Sequence, residues 1–77
     1  MLISDVSPAQ ERALNKLLGI RGQWASAYKL QESMSTLNSL VRKGYAQRRS
    51  GLGAIYSPQV NVEYRAHPQL IAMMRQR

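Results

Sequence analysis

Two periods of apolar residues follow one another along this 77-residue chain. Ala13, Leu14, Leu17 and Leu18 recur at helical spacing, while Glu11, Arg12, Asn15 and Lys16 fall on the other side. Ser7 and Pro8 open this stretch. The serine hydroxyl can accept from unpaired backbone N–H groups, and the fixed φ of proline suits a first turn. Gln10 completes a capping-box pattern. The spacing predicts a helix over residues 8–18, closed by Gly19 as a C-terminal cap. Residues 20–25 read as one short extended strand, and Ser26 opens a short second helix to about residue 31. After the polar break at Glu32 and Ser33, a third helix is predicted over residues 34–43, stopping at Gly44. Met34, Leu37, Leu40 and Val41 share one side of it; Ser35, Asn38, Ser39, Arg42 and Lys43 occupy the opposite side.

Beyond Gly44 the period shortens to two. Residues 45–49 can run extended, residues 50–53 form a turn-rich tip, and Ala54, Ile55 and Tyr56 resume extended structure. Pro58 cannot donate to a ladder and marks an edge or a break. Residues 60–64 alternate and read as a strand that pairs with residues 45–49 across a long hairpin. Pro68 starts a C-terminal helix carrying Leu70, Ile71, Met73 and Met74. The expectation is a single domain over residues 1–77, with a core at about 7–66 and the last helix at about 68–76. Leu14, Leu17, Trp24, Leu37, Leu40 and Val41 are its expected buried cluster. The aromatic residues read as core, and His67, just before Pro68, as a helix cap or surface residue.

Charge changes this picture more than composition does. Eleven Lys and Arg stand against four Asp and Glu, a net charge of +7. No acid lies between Ser33 and Val62, where Arg42, Lys43, Arg48 and Arg49 all fall. An unopposed basic surface favours a polyanion or an acidic protein face. Serines are poor helix formers, so a helix face filled with them suits close approach to a partner. Cysteine is absent, which excludes disulfide scaffolds, thiolate zinc sites and thiol nucleophiles. One histidine and four scattered carboxylates offer little for hydrolytic or metal chemistry, and no glycine-rich phosphate loop sits at a strand-to-helix junction. No enzyme activity, cofactor or metal is expected. The longest apolar run, residues 70–74, is too short to span a bilayer, and MLISDVSPAQ lacks the features of a secretory signal. A cytoplasmic protein is the expectation.

The order helix, short strand, helix, turn, helix, basic hairpin resembles the winged helix-turn-helix family, in its small phage or prophage-type bacterial versions. Residues 24–30 (WASAYKL) and 35–45 (STLNSLVRKGY) carry most of the likeness, including the basic-Gly-apolar step Lys43-Gly44-Tyr45. The long 50–61 segment with Pro58 departs from the shortest wings. The resemblance implies an α+β fold: a three-helix core, a β-hairpin wing and an added C-terminal helix. It also implies a recognition helix in the major groove of duplex DNA, with Ser35, Thr36, Asn38, Ser39 and Arg42 as base readers. Arg48 and Arg49 at the wing, with Lys43, Lys29 and Arg21, would hold the backbone. Arg48 and Arg49 are expected to act alike.

Two functions of different class meet these expectations. The first is a sequence-specific duplex-DNA-binding protein, a transcriptional regulator, with the C-terminal helix as its candidate homodimer contact. The second is a small basic interaction module or inhibitor that docks on an acidic surface of a host protein. RNA binding has less support, because no aromatic strand platform is evident.

Overall fold

The computed structural model describes residues 5–51 and 57–75. Among the described residues, five helices and a three-stranded antiparallel sheet make a small α+β domain: α1 (Pro8–Gly19), β1 (Ala25–Ser26), α2 (Ala27–Leu30), α3 (Met34–Arg42), β2 (Ala46–Ser50), α4 (Pro58–Asn61), β3 (Val62–Ala66) and α5 (Pro68–Arg75). The sheet order is β1-β3-β2. β3 is therefore the central strand, with Ala25 opposite Tyr64 on one side and Ala46 opposite Ala66 on the other.

Serines set the helix starts. The Ser7 hydroxyl accepts from the Gln10 N–H, and the Gln10 side chain accepts from the Ser7 N–H, a closed capping box. Ser26 caps α2 through the Lys29 N–H. Ser33, which the sequence assigned only to a break, caps α3 through the Thr36 N–H. The helix ends differ from expectation. α1 runs through Gly19, and the left-handed residues come later, at Arg21 (φ 58°) and Gly22 (φ 84°). Gln31, not a glycine, takes the left-handed position after α2 (φ 56°). α3 ends as its sequence predicts: Gly44 is left-handed (φ 84°), its N–H bonds the Val41 carbonyl, and the Tyr45 N–H reaches back to Leu40. Those two bonds make a Schellman motif, which satisfies carbonyls the helix leaves open.

The strands meet the expected pairing with a shifted start. β2 and β3 pair antiparallel from Ala46↔Ala66 to Ser50↔Val62. Val60 and Asn61, expected in the strand, instead belong to the one-turn helix α4, where Pro58 sits in the first turn and the Ser57 carbonyl accepts from both of their N–H groups. The extended reading of Ala54, Ile55 and Tyr56 lies outside the described residues. The early strand is only Ala25–Ser26, the rest of residues 20–25 being turn. His67 does act as a cap, its Nδ1 accepting from the Gln69 N–H at 3.1 Å.

Leu14 and Leu17 of α1, Leu37 and Leu40 of α3, and Val62, Tyr64 and Ala66 of β3 form the centre of the core. Alternation along β3 sends those three residues inward and leaves Glu63 and Arg65 on the outer face. Val41 packs at the margin of this core. Trp24 corrects the expected cluster: it is half-buried, outside the core, with Arg49 and Arg65 over its ring. Tyr28 is also outside the core and exposed, whereas Tyr64 is fully buried. The reason is strand parity, because Trp24 precedes the inward-facing Ala25 and so takes the opposite face.

Leu40→Ala is expected to destabilise the domain by about 2–5 kcal/mol, since a fully buried leucine is lost between two helices and a sheet. Thermal unfolding checks this; an unchanged midpoint would mean that α3 does not present Leu40 to the core.

Candidate nucleic-acid interface

Core packing of Leu37 and Leu40 turns the opposite side of α3 outward. Ser35 and Arg42, two helical turns apart, are exposed along that side. Arg42 has no hydrogen-bonding or ionic partner among the described residues. The other expected readers are engaged at the flanks. Asn38 is half-buried, and its Oδ1 accepts from the Tyr64 hydroxyl at 2.7 Å. The Ser39 hydroxyl donates to the Thr36 carbonyl and accepts from Gln10 Nε2 at 2.8 Å. Gln10 thus joins the start of α1 to the middle of α3. The Thr36 hydroxyl accepts from Ser33 within the cap. Lys43 is exposed and donates to the Asp5 carbonyl, while the Tyr45 hydroxyl donates to the Asp5 carboxylate at 2.7 Å. That bond holds the Tyr45 phenol above its ordinary pKa.

Arg48 and Arg49 separate. Adjacent strand residues point to opposite faces, and pairing decides which face each takes. Arg48 lies opposite Tyr64, on the helix-bearing face of the sheet, and is exposed there. Burial raises the Tyr64 hydroxyl pKa, and the nearby Arg48 charge opposes that rise. Arg49 lies opposite Glu63 on the outer face, where its guanidinium meets the Glu63 carboxylate at 2.7 Å and covers Trp24 at 4.4 Å from the ring centroid. Arg65 covers the same ring at 4.6 Å and donates to Gln47 at 2.8 Å. Such arginines are held by cation–π attraction and hydrogen bonds to the sheet itself.

The two remaining candidates also part company. Lys29 is exposed on α2, beside a shallow groove lined with Tyr28, Met34 and Gln59. Arg21 is exposed in the turn after α1 and lines a different groove, with Arg65, Pro68 and Ile71. Gly22 explains the tightness there: a Cβ on it would come within 2.9 Å of Ile71.

Sequence reasoning missed three residues that hold this arrangement. Glu32, in the turn between α2 and α3, is almost fully buried and receives Arg12 at 3.0 Å and Lys16 at 2.7 Å, both from α1. Lys16 also donates to the last carbonyl of α2, at Leu30 (2.9 Å). Hydrogen bonds from Arg12 and Lys16 hold the Glu32 carboxyl below the usual carboxylate range despite its burial. Arg12 and Lys16, four residues apart on one helix face, were the available signal. Tyr64 and Gln10, the other two, had weaker signals: an inward strand position and a capping role.

Among the described residues no cluster of His, Asp or Glu could hold a metal ion, and no helix is long and apolar enough to cross a membrane. Compared with known proteins, the chain matches no family model, no curated protein and no solved structure.

The Glu32 cluster gives a pH test. A carboxylate whose folded pKa is depressed contributes stability above its unfolded value, about 4.3, and loses that contribution as pH falls through the folded value. Glu32→Gln is therefore expected to lower the melting temperature at pH 7, with the gap to the parent protein closing as pH falls below about 4. A gap that stays constant with pH would show that the loss is not electrostatic.

Proposed function

We propose that this domain is a winged helix-turn-helix protein that binds duplex DNA as a sequence-specific transcriptional regulator. The element order α1-β1-α2-α3-β2-β3 and the sheet order β1-β3-β2 support the winged-helix reading, with α2 and α3 as the helix-turn-helix and β2–β3 as the wing. The observation that carries the function is the outward side of α3. Ser35 and Arg42 stand exposed on it with no carboxylate on the same helix, and Arg48 extends from the sheet face that α3 packs against. Short polar and cationic side chains on a protruding helix suit a major groove, and flanking cations suit phosphates.

In this reading the wing acts on DNA through Arg48 rather than through Arg48 and Arg49 together. Arg49 is held by Glu63 and Trp24 and serves the sheet. Lys29 grips the backbone from α2, Lys43 does so from the end of α3, and Arg21 stands apart from them. The exposed Met73 of α5 is the contact proposed for a homodimer, which would place two such helices on a palindrome.

One observation favours the second reading, a basic module docking on an acidic protein. Tyr28 is 74% exposed beside Lys29, and Val60 of α4 is 55% exposed. An aromatic residue next to a cation suits a protein hot spot as well as it suits DNA.

Titration of labelled duplexes at several salt concentrations separates the two. With about four phosphates neutralised, log K is expected to fall with log[salt] at a slope near −3.6, roughly −0.9 per contact. Arg48→Ala is expected to flatten that slope by about one unit on every duplex, and Arg49→Ala to leave it nearly unchanged. Arg42→Ala is expected to lower affinity for the preferred site by about 1–3 kcal/mol more than for random DNA. No retention of duplex at low salt, together with capture by an acidic protein surface, would replace the first reading with the second.

A further inference from the structure

Asn38 could read a base with its amide oxygen, its amide nitrogen or both. Reading adenine takes both, because adenine shows a donor at N6 and an acceptor at N7. Tyr64 removes that option. Its hydroxyl, rising from the buried centre of β3, donates to Asn38 Oδ1 at 2.7 Å and holds the oxygen toward the sheet. The Asn38 Nδ2 group is left with two donors and no partner among the described residues.

The surroundings of Asn38 are equally one-sided. Arg42 and Arg48 can only donate, and the remaining protons of Lys43 can only donate. Ser39 is satisfied in both directions, by Gln10 and by the Thr36 carbonyl. Of the four carboxylates, Glu32 is buried under Arg12 and Lys16, Glu63 lies on the outer face with Arg49, Glu11 lines a groove on α1 with Asn15 and Lys16, and Asp5 accepts from Tyr45. Among the described residues the outward side of α3 is dominated by donors, with the Ser35 and Thr36 hydroxyls as its remaining acceptors. Guanine is the base whose major-groove edge consists of two acceptors, O6 and N7.

We infer that this face selects duplexes with guanine under Arg42 and Asn38, the Tyr64–Asn38 hydrogen bond excluding adenine by fixing the amide. The inference rests on the proposal that α3 enters the major groove. Tyr64 is a positioning residue here: it touches no base and acts through Asn38.

The test is selection of the full chain on a pool of randomised duplexes, followed by anisotropy titration of the enriched sequence. Guanine is expected at two or more positions of the half-site. Replacing those guanines with 7-deazaguanine removes the N7 acceptor alone and is expected to weaken binding about tenfold, the equivalent of about 1.4 kcal/mol. Asn38→Asp keeps the acceptor for Tyr64 and replaces the two donors with an acceptor. It is expected to move one selected position from guanine to cytosine, whose N4 group donates. Tyr64→Phe frees the amide and is expected to admit adenine at that same position while affinity for random duplex is retained. Thermal unfolding of both variants establishes that they are folded. Enrichment of adenine by the parent protein, or affinity unchanged by 7-deazaguanine, would overturn the inference and leave DNA binding standing. Failure to retain any duplex at low salt would overturn both.

Discussion

Tyr64 sits at the middle of the central strand, with no exposed surface, and sends its hydroxyl out of the core to Asn38 on α3. Most of the molecule is arranged around that position. β1 and β2 pair with β3 on its two sides, and α1 and α3 pack over the strand's inward residues. A buried phenol is acceptable only if its hydroxyl finds a partner, because an unpaired polar group in the interior costs about 1–3 kcal/mol. Asn38 supplies the partner, and this need fixes the rotation of α3 relative to the sheet. The burial of Leu37 and Leu40 alone would tolerate a small rotation; a hydrogen bond of defined length tolerates less.

A second tie holds the turn between α2 and α3. Glu32 is an acid almost without exposed surface, kept ionised by two cations from α1. Lys16 also reaches the Leu30 carbonyl, so one side chain serves the acid and closes the end of a helix only four residues long. Helices that short have little stability of their own. α2 is held by its serine cap, by Lys16 and by burial of Ala27 and Leu30. The α2–α3 segment is therefore braced by α1 from one side and by the sheet from the other.

The basic balance of the chain sorts into two kinds of cation. Arg12, Lys16, Arg49 and Arg65 are committed to carboxylates, carbonyls, an amide or the Trp24 ring. Arg21, Lys29, Arg42 and Arg48 have no such partner among the described residues. Surface ion pairs are weak, so the committed cations matter less as energy than as subtraction. They leave the field of the molecule to the others, and Arg42 and Arg48 flank the same helix face.

The helices could be read from the sequence because their signals are local. Ser7, Pro8 and Gln10 start α1, Ser26 starts α2, and Gly44 ends α3, each through bonds to residues no more than a few positions away. The inward side of α3 followed from its period, and the antiparallel pairing of residues 45–49 followed from alternation either side of a turn. The candidate site was legible only as a set of residue types. Which of Ser35, Asn38, Ser39 and Arg42 stay free depends on Tyr64 and Gln10, which are 26 and 29 residues distant from their partners. Which of Arg48 and Arg49 faces α3 depends on the register with β3, where a shift of one residue would exchange them. Trp24 went to the outer face by the same parity. The amino-acid sequence by itself determined the elements, the net charge and the acid-free stretch, because caps, periods and composition are properties of neighbours. The tertiary structure alone decided which cations and amides remain available, because hydrogen bonds and ion pairs between distant segments remove donors and acceptors that no local pattern records.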